Sequence, residues 1–306
     1  MALTDARARA SLVTSSLLVL ALLAPACKLG GADRGGAEHR DTTSVAGDAA
    51  AHRSRGSASA SSSPSPKASS NQTTSKGGTT ELYVRGVTVY ICRPCLAAAR
   101  TAHVDLRTVV IHAVRHVAAL LPLRTGSVTV RIKLGRVDVG DHIDVLGVTH
   151  ADDTIVSIPR DPYLLHALDT WVPTIAHELH HTVRNTVGPG TTGSLLDRVI
   201  SEGSAVAFEE EAFPRFANGY WDHVLSPSQE QGLWRGMRPQ LDDSLIYQPR
   251  LLVVWFLGAG GVPHGTGYVI GYHIVKDYLA RHPHASAAGL ATVDAKTILS
   301  GSGYTG

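Results

Sequence analysis

Residues His177-Glu178-Leu179-His180-His181 constrain this chain more than any other stretch. They form an HExxH pattern, with two histidines four positions apart. On an α-helix, side chains at that spacing lie one turn above each other on one face. His177 and His181 can then offer two imidazoles to one Zn²⁺, with Glu178 beside the metal as general base. The flanking pattern is helical: Val172, Ile175, Ala176, Leu179 and Val183 recur along one stripe. Asp169 or Thr170 is expected to cap this helix, Pro173 suits its first turn, and Gly188-Pro189-Gly190 lies beyond its end. At about 100° per residue, the histidines fall on the side away from the apolar stripe. The stripe predicts a core contact, and the opposite face predicts a metal cleft.

A catalytic zinc set of this kind needs a third protein ligand and a fourth position open to water. The stretch from Ser194 to Val206 reads as a second helix, with Ser194 and Asp197 as a loose capping box. Leu195, Val199 and Val206 share one face, and Glu202 falls within it. A carboxylate facing a core is costly unless it is paired or binds a metal. Twenty residues separate His181 from Glu202, enough for a turn and an antiparallel return. Glu209, two turns further on the same face, is the rival ligand. Glu202 is preferred because Gly203 beside it permits close helix packing. The competing account of Glu202 is a buried salt bridge to an arginine.

Residues 1–27 read as an export signal. Arg7 and Arg9 are followed by an apolar run over 12–23, too short for a comfortable membrane span. Ala24-Pro25-Ala26 fits a cleavage site for release; the same residues before Cys27 resemble a lipobox, which would put a lipid on Cys27. Either way an extracytoplasmic location is expected, with the membrane reached only through that lipid. Residues 28–80 are rich in Ser, Ala, Gly and Thr and read as a disordered linker. A domain over 81–306 should follow. The formal charge of +2 and the lack of a basic stripe interleaved with aromatics give no reason to expect nucleic acid.

Within that domain, the stretch from Leu82 to Ile91 reads as a strand, followed by Cys92-Arg93-Pro94-Cys95 and a helical pattern through Leu121. Strand, CxxC, helix is also the layout of a thiol–disulfide site. No aromatic residue precedes the first cysteine, however, and a short local disulfide is the plainer reading. His112 and His116 have no acidic residue between them and fit an ordinary amphipathic helix. Ser127 to Leu134 and Asp153 to Pro159 read as strands. A strand beside the metal helix could bind an extended peptide at the sheet edge. Glu209-Glu210-Glu211 reads as a solvated patch, and Trp221, Trp234 and Trp255 as packing residues or the lining of a cleft. A helix from Gly267 through Leu279 carries Tyr268 and Tyr272 on one face. These two and His264 are candidates for the donor that a metallohydrolase needs opposite its metal.

The segments His177-Glu178-Leu179-His180-His181, Ser201-Glu202-Gly203-Ser204-Ala205, Gly267-Tyr268-Val269-Ile270-Gly271-Tyr272 and Ser302-Gly303-Tyr304 together resemble a bacterial family of predicted zinc-dependent proteases, long described only as a domain of unknown function. The resemblance covers roughly 147–304. It implies an α+β, zincin-like fold: a small mixed or antiparallel sheet packed on the active-site helix, then a mostly helical C-terminal subdomain. It implies a gluzincin-type metallopeptidase acting on a peptide or protein substrate, with one Zn²⁺ per chain held by His177, His181 and Glu202, and Glu178 catalytic. Some gluzincins carry an acidic residue one turn after the third ligand to orient a zinc histidine; here that place is Val206. A partner for the histidines must come from elsewhere. The alternatives are a catalytically silent zinc-binding scaffold and an extracytoplasmic thiol–disulfide protein using Cys92 and Cys95.

Overall fold

The computed structural model describes residues 73–76, 79–123, 128–135, 147–190, 193–217 and 221–306. The expected export segment with Cys27 and most of the expected linker lie outside the described residues. Six strands form one mixed sheet: β1 (Thr73–Lys76), β2 (Thr79–Val84), β3 (Val87–Cys92), β4 (Val128–Leu134), β5 (Gly147–His150) and β6 (Asp153–Ile158), in the order β1-β2-β3-β4-β6-β5. The β3–β4 and β4–β6 pairs are parallel, and the outer pairs are antiparallel. Parallel neighbours need a crossover. Helices α1 (Arg93–Thr101) and α2 (Leu106–Leu120) supply it between β3 and β4. Alternation sets the faces: Val87, Val89 and Ile91 are buried with Val128, Val130 and Ile132, while Thr88, Tyr90 and Cys92 are only half-buried.

Several local expectations change. The stretch from Leu82 to Ile91 is two strands, because Arg85 (φ 48°) and Gly86 (φ 85°) make a two-residue turn with both central residues left-handed. β1 and the start of β2 lie inside the expected linker, where threonines at 73, 74, 79 and 80 favour strand. The pattern through Leu121 is two helices. The chain breaks at His103 (φ 53°), and the Asp105 carboxylate accepts the Thr108 N–H at 3.2 Å to start α2.

The remaining helices are α3 (Pro162–His166), α4 (Val172–Thr186), α5 (Leu195–Ala212), α6 (Pro227–Met237), α7 (Arg250–Trp255), α8 (Thr266–Arg281), α9 (Ala287–Leu290) and α10 (Ala295–Ser302). The fold is α+β, with a helical C-terminal region. α4 packs on β5 and β6 on one side and on α5 on another. Its start is capped by no side chain: Trp171 holds the N-cap position, and Asp169 and Thr170 belong to a short 3₁₀ turn. α5 starts with the expected Ser194–Asp197 capping box. It is pressed against α8 at a glycine pair. A Cβ on Gly203 would come 2.1 Å from the Gly271 carbonyl carbon, and one on Gly271 would come 2.1 Å from the Val199 oxygen. Only glycine allows this approach. Among the described residues, no helix is long and apolar enough to cross a membrane.

Candidate metal centre

α4 carries His177, Glu178 and His181, and α5 returns antiparallel to it with Glu202. Every residue from Thr174 to Arg184 is buried. The histidine face is therefore not an open surface; α5 covers it, and the two imidazoles meet the Glu202 carboxylate. Glu202 Oε2 lies 3.1 Å from His177 Nε2 and 3.5 Å from His181 Nε2. One ligand atom from each of the three residues falls within 4.8 Å of the others.

Glu202 has no solvent exposure, and its second oxygen, Oε1, lies 2.9 Å from Arg198 Nη2. The carboxylate thus meets the two histidines through one oxygen and an arginine through the other. The Arg198 contact is one of charge: it lacks the alignment of a hydrogen bond, and both atoms count as buried polar atoms without a hydrogen-bond partner. Burial pushes the Glu202 carboxyl upward, but Arg198 and the two histidines override it and hold Glu202 well below the usual carboxylate range. For His177, burial lowers the imidazole, and the carboxylates of Glu202 and Glu209 more than reverse this.

Three features of the donor set fit a metal. His181 Nε2 is buried and has no hydrogen-bond partner, an arrangement that is costly for a polar atom and that a metal ion would relieve. The 3.1 and 3.5 Å separations match the spacing of about 3.4 Å between ligands of a tetrahedral ion bound at about 2.1 Å. The far nitrogen of each imidazole is also engaged. His177 Nδ1 donates to Glu209 Oε1 at 2.5 Å, and His181 Nδ1 lies 3.0 Å from the Ser201 hydroxyl. A carboxylate can only accept, so Glu209 fixes the proton of His177 on Nδ1, whereas the Ser201 hydroxyl can pair with His181 Nδ1 in either sense.

Glu209 is therefore the partner that Val206 cannot be. It stands seven residues after Glu202, two turns along the same face. That spacing marked it as a rival ligand; its Oε1 instead meets the far nitrogen of His177. The expected solvated Glu209-Glu210-Glu211 patch is met only in part: Glu211 is exposed and the other two are half-buried, and each carboxylate has a partner. Glu210 accepts the Tyr272 hydroxyl at 3.0 and 2.9 Å, and Glu211 accepts the Ala287 and Ala288 N–H groups at the start of α9.

Glu178 is held from the sheet edge. The Thr149 hydroxyl on β5 donates to Glu178 Oε2 at 2.6 Å. Thr149 is itself 3.1 Å from the Thr154 hydroxyl, which is 2.8 Å from that of Thr182. This chain of hydroxyls ties β5, β6 and α4 together. Gly147 leaves the carboxylate its space, since a Cβ there would lie 2.0 Å from Glu178 Oε1. Burial raises the Glu178 carboxyl from its ordinary value, against the opposing pull of His181, His177 and Thr149. Sequence reasoning missed Thr149, Gly147, Ser201 and Arg198. Only Ser201 and Arg198, beside and one turn before Glu202, carried a local signal.

The candidate donors fall in three places. Tyr268 is buried, stacked with Trp221 at 5.8 Å and edge-on to Phe256 at 5.3 Å. Tyr272 has its hydroxyl proton committed to Glu210. His264 is exposed in the turn before α8.

Residues 141–300 match the family described as "Predicted Zn-dependent protease (DUF2268)". Over 131 residues the chain is 33% identical to "Uncharacterized protein YjaZ" of Bacillus subtilis (strain 168), an alignment covering 41% of this chain and 48% of that protein. The chain thus spans about half the length of the curated relative it matches.

Proposed function

The chain belongs to the family of predicted Zn-dependent proteases, and we propose that it is an exported zinc metallopeptidase that hydrolyses peptide bonds with Glu178 as general base. The observation that carries this reading is the buried convergence of His177, His181 and Glu202, with His181 Nε2 left without a hydrogen bond. Two imidazoles and one carboxylate are a catalytic rather than a structural donor set, because they leave a position open.

Bound zinc would supply Lewis acidity, bringing a water's proton loss toward neutral pH. His177, His181 and Glu202 would hold the ion, Glu209 and Ser201 would fix the imidazoles, and Arg198 would keep Glu202 Oε1 occupied. Glu178 takes the proton from the attacking water and passes it to the departing amine nitrogen. Its raised proton affinity suits that double task, and the Thr149 hydroxyl holds the carboxylate in place. β5 pairs with β6 on one side, and among the described residues no strand pairs with its other edge. An extended peptide adding to that edge would pass the residue that holds Glu178. Tyr268, Tyr272 and His264 remain the donor candidates opposite the metal. Tyr272 would serve only after its hydroxyl leaves Glu210. The export signal and a lipid on Cys27 would place the enzyme outside the cytoplasm.

The test is metal content and peptide hydrolysis of the purified chain, beside Glu178→Gln and Glu202→Ala. Stoichiometric zinc that survives Glu178→Gln while hydrolysis is lost supports the reading. Full peptidase activity in Glu178→Gln, or a folded wild type that takes up no zinc, overturns it.

A further inference from the structure

We propose that Cys92 and Cys95 form a second reactive site, exchanging their disulfide with a small carboxylate-bearing thiol seated in a groove on the open face of the sheet. This site stands apart from the metal centre and does not rest on the peptidase reading.

The two sulfurs form a disulfide, yet their surroundings differ. Cys95 has no solvent exposure, whereas Cys92 is half-buried and lines a groove of about 490 Å³. Thr79, Glu81, Tyr90, Arg131 and Lys133 also line that groove. The volume falls within the range of small-molecule sites. Only Cys92 Sγ can therefore be approached by an incoming thiolate.

The local structure favours a thiolate at Cys92. It is the N-cap residue of α1, and its sulfur accepts the Cys95 N–H at 2.9 Å. The amides and dipole of a helix start stabilise negative charge on sulfur. Arg131 faces the same groove but is committed to Asp153 at 2.8 Å and lies over the Tyr90 ring at 5.0 Å. Lys133 has no ion-pair partner among the described residues and is left to meet a ligand carboxylate. Cys95 Sγ lies 3.4 Å from the Ile132 carbonyl, which can accept the thiol proton once the bond opens. A cross-link closing so short a loop constrains the unfolded chain little, so a stabilising role is a weak account of it.

The exchange balances as follows. A thiolate attacks Cys92 Sγ, the S–S bond breaks, and Cys95 leaves as a thiolate that takes up a proton. A second thiolate attacks the outer sulfur of the mixed disulfide, releasing Cys92 as thiolate and the small molecule as its own disulfide. Two thiols lose two electrons, and one protein disulfide gains them.

Reduced glutathione is the probe. The full chain is incubated with it, quenched in acid, alkylated and mapped by mass spectrometry. Mixed-disulfide formation from oxidised glutathione on Cys92 in Cys95→Ala is expected to be at least about tenfold faster than on Cys95 in Cys92→Ala. Equal rates, or no adduct on Cys92, overturn the proposal. Should either variant fail to fold, the wild type decides: glutathione opens Cys92–Cys95 without loss of the folded signal, whereas a pair that stays closed in excess glutathione sinks the idea. Lys133→Ala should slow opening by glutathione about threefold and leave opening by uncharged 2-mercaptoethanol unchanged. Equal effects on both thiols overturn recognition of the carboxylate.

Discussion

Among the described residues, histidine and glutamate meet in two clusters of different build. In the C-terminal region, Glu230 Oε1 accepts His273 Nδ1 at 2.7 Å and the Tyr304 hydroxyl, so both donors meet one acceptor. Between α4 and α5, three side chains instead point ligand atoms at a common space, and His181 Nε2 there has no hydrogen-bond partner. The clusters share histidine and glutamate, but His273 is half-buried whereas His177, His181 and Glu202 are buried. They differ in saturation: one closes its own hydrogen bonds, and the other leaves a polar atom that costs free energy until it is engaged. A buried nitrogen without a hydrogen bond sets the second cluster apart from the first.

The sharpest way to divide the clusters is Glu178→Gln. Peptide hydrolysis should fall by about 10²–10⁴-fold, the usual worth of a positioned base, while zinc content measured by atomic absorption stays stoichiometric. Glu202→Ala should weaken zinc binding by more than the roughly 10–100-fold typical of an outer partner, as read by competition with a chelator. It also leaves Arg198 as an uncompensated buried charge, so its unfolding midpoint should drop as well. Glu209→Gln removes the carboxylate behind His177 and belongs in that 10–100-fold range for zinc, with the fold retained. A change as large as that of Glu202→Ala would return Glu209 to the role of ligand.

Glu230→Gln is the control from the saturated cluster. It should leave zinc affinity unchanged and lower stability by about 1–3 kcal/mol in urea unfolding. Burial opposes the charge on Glu230, but the His273 and Tyr304 hydrogen bonds prevail and lower its proton affinity. Burial also opposes the charge on His273, and Glu230 prevails there and raises it. The raised histidine stabilises fully below its ordinary value of 6.5, and this is lost as pH climbs through its folded value. The depressed carboxylate stabilises above its ordinary value of 4.5, and this is lost as pH falls through its folded value. The difference between wild type and Glu230→Gln should therefore be largest between pH 4.5 and 6.5 and shrink on either side. A difference independent of pH would contradict the ion pair.

The HExxH spacing determined by itself that His177 and His181 share a helix face with Glu178 beside them, because helical geometry is local. The Ser194–Asp197 capping box and the glycine beside Glu202 were legible for the same reason. Tertiary structure decided what lies opposite. It set Glu209 rather than a residue one turn earlier against His177, brought Thr149 from the sheet edge to Glu178, and gave the two oxygens of Glu202 to different partners. It also turned three consecutive glutamates, alike in sequence, to a histidine, a tyrosine and a helix start. Helical and strand patterns record which face of an element is apolar. Which residues distant in the chain meet across that face depends on how closely the helices approach, and here that approach is set by Gly203 against Gly271.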